Sequence, residues 1–182
     1  SEVEDIVRDV KRLVEENHRR NEEIVRRDED LVRRNNELNK RILEEVEELV
    51  RRLEDVARKI RDKEELKRRV DEIERRLEDL LRKVEEANRK SLEDSKRLVR
   101  TVTELNRESV ETLKKLVDDL RKDRSDVEEA LRTAEELIKR LEDSLREVKD
   151  RSKRSLDEMK KSADDVRREI ERLIKRVRDT TK

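Results

Sequence analysis

Residues 3–56 read VEDIVRDVKRLVEENHRRNEEIVRRDEDLVRRNNELNKRILEEVEELVRRLEDV. Apolar and small polar residues recur through this stretch at alternating steps of three and four, and most other positions are charged. They form two columns with sevenfold spacing: Val3, Val10, Asn17, Ile24, Leu31 and Leu38, and then Val7, Val14, Asn21, Asp28, Asn35, Ile42, Leu49 and Val56. A period of about 3.5 residues is typical of a left-handed coiled coil, so the stretch predicts one long amphipathic helix.

The composition of the chain is extreme. Its 182 residues include 52 Lys or Arg and 52 Asp or Glu, so 57% are charged and the formal net charge is zero. High charge with only 30% hydrophobic residues is often a sign of disorder, but the regular period argues against it. Gly, Pro, Cys and all aromatic residues are absent. Strand-rich folds, glycine-dependent phosphate loops, disulfides and thiolate metal sites are therefore excluded.

Two interruptions divide the helical pattern. Asp62 is a candidate N-cap with Glu65 at the capping-box position, and Ser125 is a second candidate N-cap followed by acidic residues. We therefore predict helices over about residues 2–60, 63–122 and 126–180, with turns at about 61–62 and 123–125. Each helix would have about 58 residues and be roughly 85–90 Å long at about 1.5 Å per residue.

Three near-equal helices on short connections pack as an antiparallel up-down-up bundle. The predicted fold class is thus all-α, a single three-helix bundle over residues 1–182 with left-handed coiled-coil packing. The turns also predict the register. Residue i of the first helix should face about residue 123 − i of the second, and residue j of the second should face about residue 248 − j of the third.

Polar residues in the core columns are predicted to lie at matching heights on the three helices. A buried polar group without a partner costs roughly 1–3 kcal/mol, so we expect these side chains to form connected hydrogen-bond networks. The slipped registers of a heptad repeat would separate such partners, so the networks would specify register. The candidates are Asn17, His18, Asn21, Asp28, Asn35, Asn39, Asn88, Ser91, Ser95, Thr103, Asn106, Ser144, Ser152, Ser155 and Ser162. For His18 we expect a minor role, with Asn106 as a plausible partner.

Acid pairs are followed four residues later by base pairs, as in Glu22-Glu23 with Arg26-Arg27 and Glu47-Glu48 with Arg51-Arg52. With the glycine-free turns and the core Asn and Ser residues, this pattern resembles the family of computationally designed helical bundles with buried hydrogen-bond networks. The resemblance covers the whole chain. It implies a structural scaffold with no natural substrate.

The matches to catalytic and metal-binding motifs are incomplete. Glu15-x-x-His18 matches half of a di-iron bundle site, but the chain has one histidine and Glu15 falls on the charged face. A Ser-His-Asp triad is not expected either, because a helix interior offers no strained nucleophile turn and no oxyanion donors. We predict that the protein is not an enzyme and has no catalytic residues, cofactor or metal.

The pattern of charged and apolar residues also excludes two classes of binding partner. Basic and acidic residues are interspersed, so no nucleic-acid-binding face is expected. The longest apolar run is two residues, as at Leu80-Leu81, so no membrane span or targeting segment is expected. A natural membrane-curving (BAR-type) or spectrin-like bundle is a weaker alternative, since a basic stripe and core Trp are missing. We expect a monomer without partners, with a homo-oligomer or a partner-binding helical module as the alternatives.

Overall fold

Three long helices make up the fold in the computed structural model, which describes residues 2–123 and 128–181. They are α1 (Glu2–Lys59), α2 (Lys63–Asp123) and α3 (Glu128–Asp179). The predicted all-α three-helix class is confirmed, and the helix ends that fall within the described residues lie within one residue of the prediction. Asp123, predicted to begin the second turn, is the last residue of α2. The rest of that turn and the Ser125 cap lie outside the described residues.

The start of α2 shows why the first turn needs no glycine. The backbone N–H of Glu64 donates to Asp62 Oδ1 at 3.0 Å, and the N–H of Leu66 donates to the Asp62 carbonyl at 3.1 Å. Asp62 is therefore the N-cap that the sequence predicted. Glu64 and Glu65 follow in the first turn of α2, and Arg58 and Lys59 end α1, so each charge complements the nearby helix dipole.

The chain forms two compact units, and each helix contributes one segment to each unit. Unit 1 comprises the described residues of Ser1–Glu29 and Ser95–Ser155, and unit 2 those of Asp30–Asp94 and Leu156–Lys182. In unit 1 the buried aliphatic residues come from all three helices: Val10, Val14, Val25, Val102, Leu113, Val117, Leu120, Ala134, Ile138, Leu141 and Val148. In unit 2 they do so again: Val46, Leu49, Val50, Leu53, Val70, Leu77, Leu80, Val84, Val166, Ile170, Leu173, Ile174 and Val177.

Contacts within each unit establish the helix directions. In unit 1, Asn21 pairs with Asn106 and Asp28 with Ser95, so residue numbers fall on α2 as they rise on α1. In unit 2, Asn39 contacts Ser162 and Glu54 contacts Arg176, so residue numbers rise together on α1 and α3. The first pair of helices is therefore antiparallel and the second is parallel, as an up-down-up bundle requires.

The predicted register holds for α1 against α2, and for α2 against α3 it holds to within two residues. The residue numbers of Asp28 and Ser95 add up to 123, as expected. Those of Ser95 and Ser155, which are both hydrogen-bonded to Asp28, add up to 250 against the expected 248. The charged groups of Lys114 and Glu142 lie 3.3 Å apart although their residue numbers add up to 256, because long side chains reach across about another helical turn.

The described surface is covered by ion pairs, many of them within one helix. Arg52 Nη2 lies 2.8 Å from Glu48 Oε1 and Arg26 Nη2 lies 3.7 Å from Glu22 Oε2, both at the i, i+4 spacing of the sequence pattern. Exposed pairs of this kind contribute only about 0.3–0.5 kcal/mol each. Stability therefore depends mainly on the aliphatic core.

Two leucines of unit 2 test this dependence. Leu77 is fully buried, whereas Leu38 is 36% exposed. Leu77→Ala should lower the free energy of unfolding by about 2–5 kcal/mol, because it removes buried methyl groups and leaves a cavity. Leu38→Ala, the matched control, should cost about 1 kcal/mol or less. Urea denaturation followed by circular dichroism measures both, and equal losses would contradict this assignment of the core.

Candidate functional site

The candidate site is a set of polar layers within the aliphatic core. The first, the Asn21 layer, joins α1 to α2 in unit 1 through Asn21 and Asn106, which are 2% and 0% exposed. The Nδ2–H of each amide donates to the Oδ1 of the other at 2.9 Å. Asn106 uses its second proton on the Val102 carbonyl at 2.7 Å, one turn earlier in α2. Two amides thus satisfy most of their hydrogen-bonding capacity without water.

The second layer, the Asp28 layer, places a carboxyl group in the core of unit 1. The Ser95 hydroxyl on α2 donates to Asp28 Oδ1 at 2.6 Å, and the Ser155 hydroxyl on α3 is also hydrogen-bonded to this carboxyl. Burial raises the pKa of Asp28 above its ordinary value of 3.8. The two serines oppose this effect without cancelling it, and the charge of Glu29 adds to it. The ionised form of Asp28 therefore costs the folded protein stability.

The third layer, the Asn35 layer, joins all three helices in unit 2. Asn88 Oδ1 accepts from the amide groups of Asn35 and Asn39 at 2.7 and 3.0 Å. Asn88 Nδ2 donates back to Asn39 Oδ1 at 3.0 Å and to the Val84 carbonyl at 2.8 Å. Asn39 Nδ2 also donates to Ser162 Oγ on α3 at 3.0 Å. Asn39 and Asn88 thereby each use both protons and the oxygen of the side-chain amide.

One side of this layer is incompletely satisfied. Asn35 Oδ1 and the neighbouring Asn36 Oδ1 are buried and lack a hydrogen-bond partner. Asn36 falls between the heptad columns, so the heptad pattern gives no signal for its burial. An unpaired buried acceptor costs on the order of 1–3 kcal/mol, so the layer does not maximise stability.

His18 lies outside the core, contrary to the expected partnership with Asn106. Its side chain is 58% exposed, and Nε2 lies 3.0 Å from Glu22 Oε1 on the same helix. Nδ1 lies 3.5 Å from Ser144 Oγ on α3. Asn106 is instead hydrogen-bonded to Asn21, because an amide pair between core positions satisfies both side chains at once.

Four other candidates do not take part in these layers. Thr103 is half-buried, and its hydroxyl donates to the Val99 carbonyl one turn earlier on its own helix at 2.8 Å. Asn17 and Ser152 are buried and Ser91 is half-buried, but none of them is hydrogen-bonded in the three layers that the described residues form. The column position of a residue thus indicated burial better than it indicated the partner.

The described residues contain no group of three or more His, Cys, Asp or Glu side chains arranged to hold a metal ion. Among the described helices, none combines the length and apolar character needed to cross a bilayer. The chemistry that the layers do support is mutual recognition between helices by directional hydrogen bonds.

The fold and its core define a three-helix bundle with buried hydrogen-bonded polar layers. The chain is similar to a solved structure described as a computationally designed three helix bundle, at 17% sequence identity and a TM-score of 0.49 over 99% of this chain and 90% of that one. No protein-family model matches the chain, and neither does any curated protein.

Asp28 makes stability depend on pH in a direction opposite to that of carboxylates whose pKa is lowered by ion pairs. Because folding raises its pKa, the cost of the ionised form is fully present above the raised value and disappears as the pH falls through 3.8. Asp28→Asn should therefore raise the free energy of unfolding at pH 7, and the gain should shrink towards pH 3. The asparagine Oδ1 can still accept from Ser95, and its amide can donate to Ser155.

The measurement is urea denaturation of wild type and variant at several pH values. Asp30→Asn, which changes an exposed carboxylate paired with Arg33 and Arg34, is the control and should show no such gain at pH 7. A variant that is less stable than wild type at pH 7 would overturn the account of Asp28.

Proposed function

We propose that the protein is a designed structural scaffold without a natural substrate, and that its buried polar layers specify the register of the helices. The observation that carries this proposal is the Asn35 layer, in which side chains of α1 contact partners on both α2 and α3. The regular pairing of acid with base at i, i+4, seen for Glu48 and Arg52, supports a designed origin.

The aliphatic residues alone do not determine the register in which the helices pack. A coiled-coil seam repeats every seven residues, so sliding one helix by a heptad buries nearly the same aliphatic area. The hydrogen-bonded layers differ from this repeat, because their partners do not recur at every heptad. They are the feature of the core that distinguishes one register from the next.

Shifting α2 by one heptad in either direction shows the effect. In one direction, Asn21 would face Leu113 and Asp28 would face Val102. In the other, Asn21 would face Val99 and Asn35 would face Leu81. Either slip opposes two of the three layers with aliphatic side chains, at roughly 1–3 kcal/mol for each unsatisfied group.

The layers need not increase stability in order to do this. Replacing a whole buried network by well-packed aliphatic residues is often neutral or stabilising, whereas removing one member leaves its partners unsatisfied. The unpartnered oxygens of Asn35 and Asn36 fit a core in which some stability is given up for a unique pairing.

Substitution of Asn88 can distinguish the effect of the layer on stability from its effect on register, because Asn88 is the common partner of Asn35 and Asn39. Asn88→Leu alone should lower the free energy of unfolding by about 1–3 kcal/mol, since two buried amides lose their acceptor. Replacing Asn35, Asn39 and Asn88 together by Leu should restore or exceed the stability of the wild type. The triple variant should also lose uniqueness, visible as extra oligomers in native mass spectrometry or broadened amide resonances.

The double variant Asn21→Leu, Asn106→Leu is the matched test in unit 1. Like the triple variant, it should be at least as stable as the wild type and should lose uniqueness. The proposal fails if the triple variant remains a single species with sharp resonances. It also fails if the triple variant is less stable than Asn88→Leu alone, because the layer would then be needed for stability itself.

We also propose that the chain is a single bundle that acts as a monomer without partners. In support, all three helices bury aliphatic residues in each unit, and Leu38 is the one large hydrophobic side chain of the described residues that is exposed. One exposed leucine is far less than the apolar surface of a stable protein interface.

Light scattering coupled to size-exclusion chromatography should therefore give a mass of 22.2 kDa. Dilution over two orders of magnitude should leave the elution volume unchanged, because a monomer has no concentration-dependent equilibrium. A mass of twice that value would favour a self-associating helical module instead.

A further inference from the structure

Ser144, His18 and Glu22 form a chain of polar contacts on the surface of unit 1 that the polar layers do not use. His18 Nε2 lies 3.0 Å from Glu22 Oε1, and Nδ1 lies 3.5 Å from Ser144 Oγ. When Nε2 carries the ring proton and donates it to Glu22, Nδ1 is an acceptor directed at the serine hydroxyl. This is the arrangement of a nucleophile, a base and an orienting carboxylate.

A groove of about 540 Å³ between α1 and α3 adjoins the chain of contacts. Its volume is within the range of roughly 300–1,000 Å³ found for small-molecule sites. Val14, Leu137 and Leu141 contribute apolar surface to it, and Ser144 and His18 are themselves part of its lining. An aryl group bound against the aliphatic side chains would bring an attached acyl group close to Ser144.

The charges around the groove restrict the class of ligand that can bind there. Three carboxylates, Glu15, Asp143 and Glu147, line it together with two cations, Lys11 and Arg140. The excess of acid disfavours an anionic ligand, while a cation near the acyl carbonyl can stabilise the negative charge that develops on its oxygen.

We infer that this groove binds neutral aryl esters of short carboxylic acids and that Ser144 cleaves them with His18 as the general base. This inference goes beyond the proposed scaffold function and does not depend on it. A scaffold without a substrate of its own can still carry a reactive hydroxyl.

The reaction has two steps. Ser144 Oγ forms a bond to the ester carbonyl carbon as its proton passes to His18 Nδ1, and the phenoxide then leaves with the electron pair of the broken C–O bond and takes up this proton, which returns His18 to its neutral form. Water next attacks the acyl-serine and gives a proton to His18, after which Ser144 Oγ leaves and recovers a proton. The net change is ester plus water to carboxylic acid plus phenol.

A helix interior offers neither a strained nucleophile turn nor oxyanion donors, and their absence limits the rate of the reaction without removing the reactivity of the hydroxyl. The Oγ–Nδ1 distance of 3.5 Å is long for a hydrogen bond, as catalytic contacts often are before a substrate binds. We therefore expect modest acceleration, well below the values of evolved hydrolases.

The test uses p-nitrophenyl acetate at pH 8 with the full chain. Wild type should release nitrophenolate about tenfold faster than Ser144→Ala or His18→Asn, as expected for a modest general-base contribution. Intact-mass analysis of the early reaction, followed by peptide mapping, should find one acetyl group on Ser144. His18 is the single histidine of the chain, so any imidazole effect is attributable to it.

Ser91→Ala, which removes a half-buried serine of α2, is the matched control and should retain the wild-type rate. Equal rates for wild type and Ser144→Ala would overturn the inference, and so would acetyl groups found only on lysines or on His18. Circular dichroism establishes that each variant is folded.

Glu22 is a positioning residue in this scheme, and its role has a separate readout. In wild type, the ¹⁵N shifts of His18 should show the proton on Nε2, and Glu22→Ala should give a mixture of tautomers with a lower kcat and an unchanged KM. Glu22→Gln keeps an acceptor oxygen and should restore the tautomer. An unchanged tautomer in Glu22→Ala would contradict the role of Glu22.

Discussion

A polar side chain buried between helices must find its hydrogen-bond partners inside the protein, and the arrangement of this core depends on that requirement. The aliphatic residues of the heptad columns pack in almost any register, because one Leu or Val replaces another with little loss. An amide such as Asn88 does not have this freedom, since its oxygen accepts from Asn35 and Asn39 in one alignment of α1 and α2. Directional contacts thus add selectivity to a core that is otherwise repetitive.

The three layers meet this requirement to different degrees. Asn21 and Asn106 form a reciprocal pair, and the Val102 carbonyl takes the remaining proton of Asn106. The Asp28 layer is less favourable, because a carboxylate among hydroxyl groups retains a cost of burial that raises its pKa. The Asn35 layer connects the most residues but leaves two amide oxygens unpaired. The layers therefore differ in energy although the sequence presents them as similar columns of Asn, Asp and Ser.

Much of the fold could be predicted because it depends on local and periodic properties. The period near 3.5, the absence of helix-breaking residues and the cap at Asp62 placed the start and end of α1 and α2 within one residue. The alignment of α1 with α2 also followed, since a turn of known position and length sets it. The alignment of α2 with α3 followed to within two residues, since Ser95 and Ser155 both contact Asp28 and their residue numbers add up to 250 rather than 248.

By itself, the amino-acid sequence determined the number of helices, their amphipathic faces and which polar residues belong to core columns, since these properties repeat along one chain. The tertiary structure alone decided the partners. Asn106 binds Asn21 rather than His18, Asn36 has a buried oxygen outside the columns, and His18 stands between Glu22 and Ser144 at the edge of a groove. A shift of a few ångströms or of part of a helical turn changes which polar atoms meet, and periodicity along one helix carries no information at that scale.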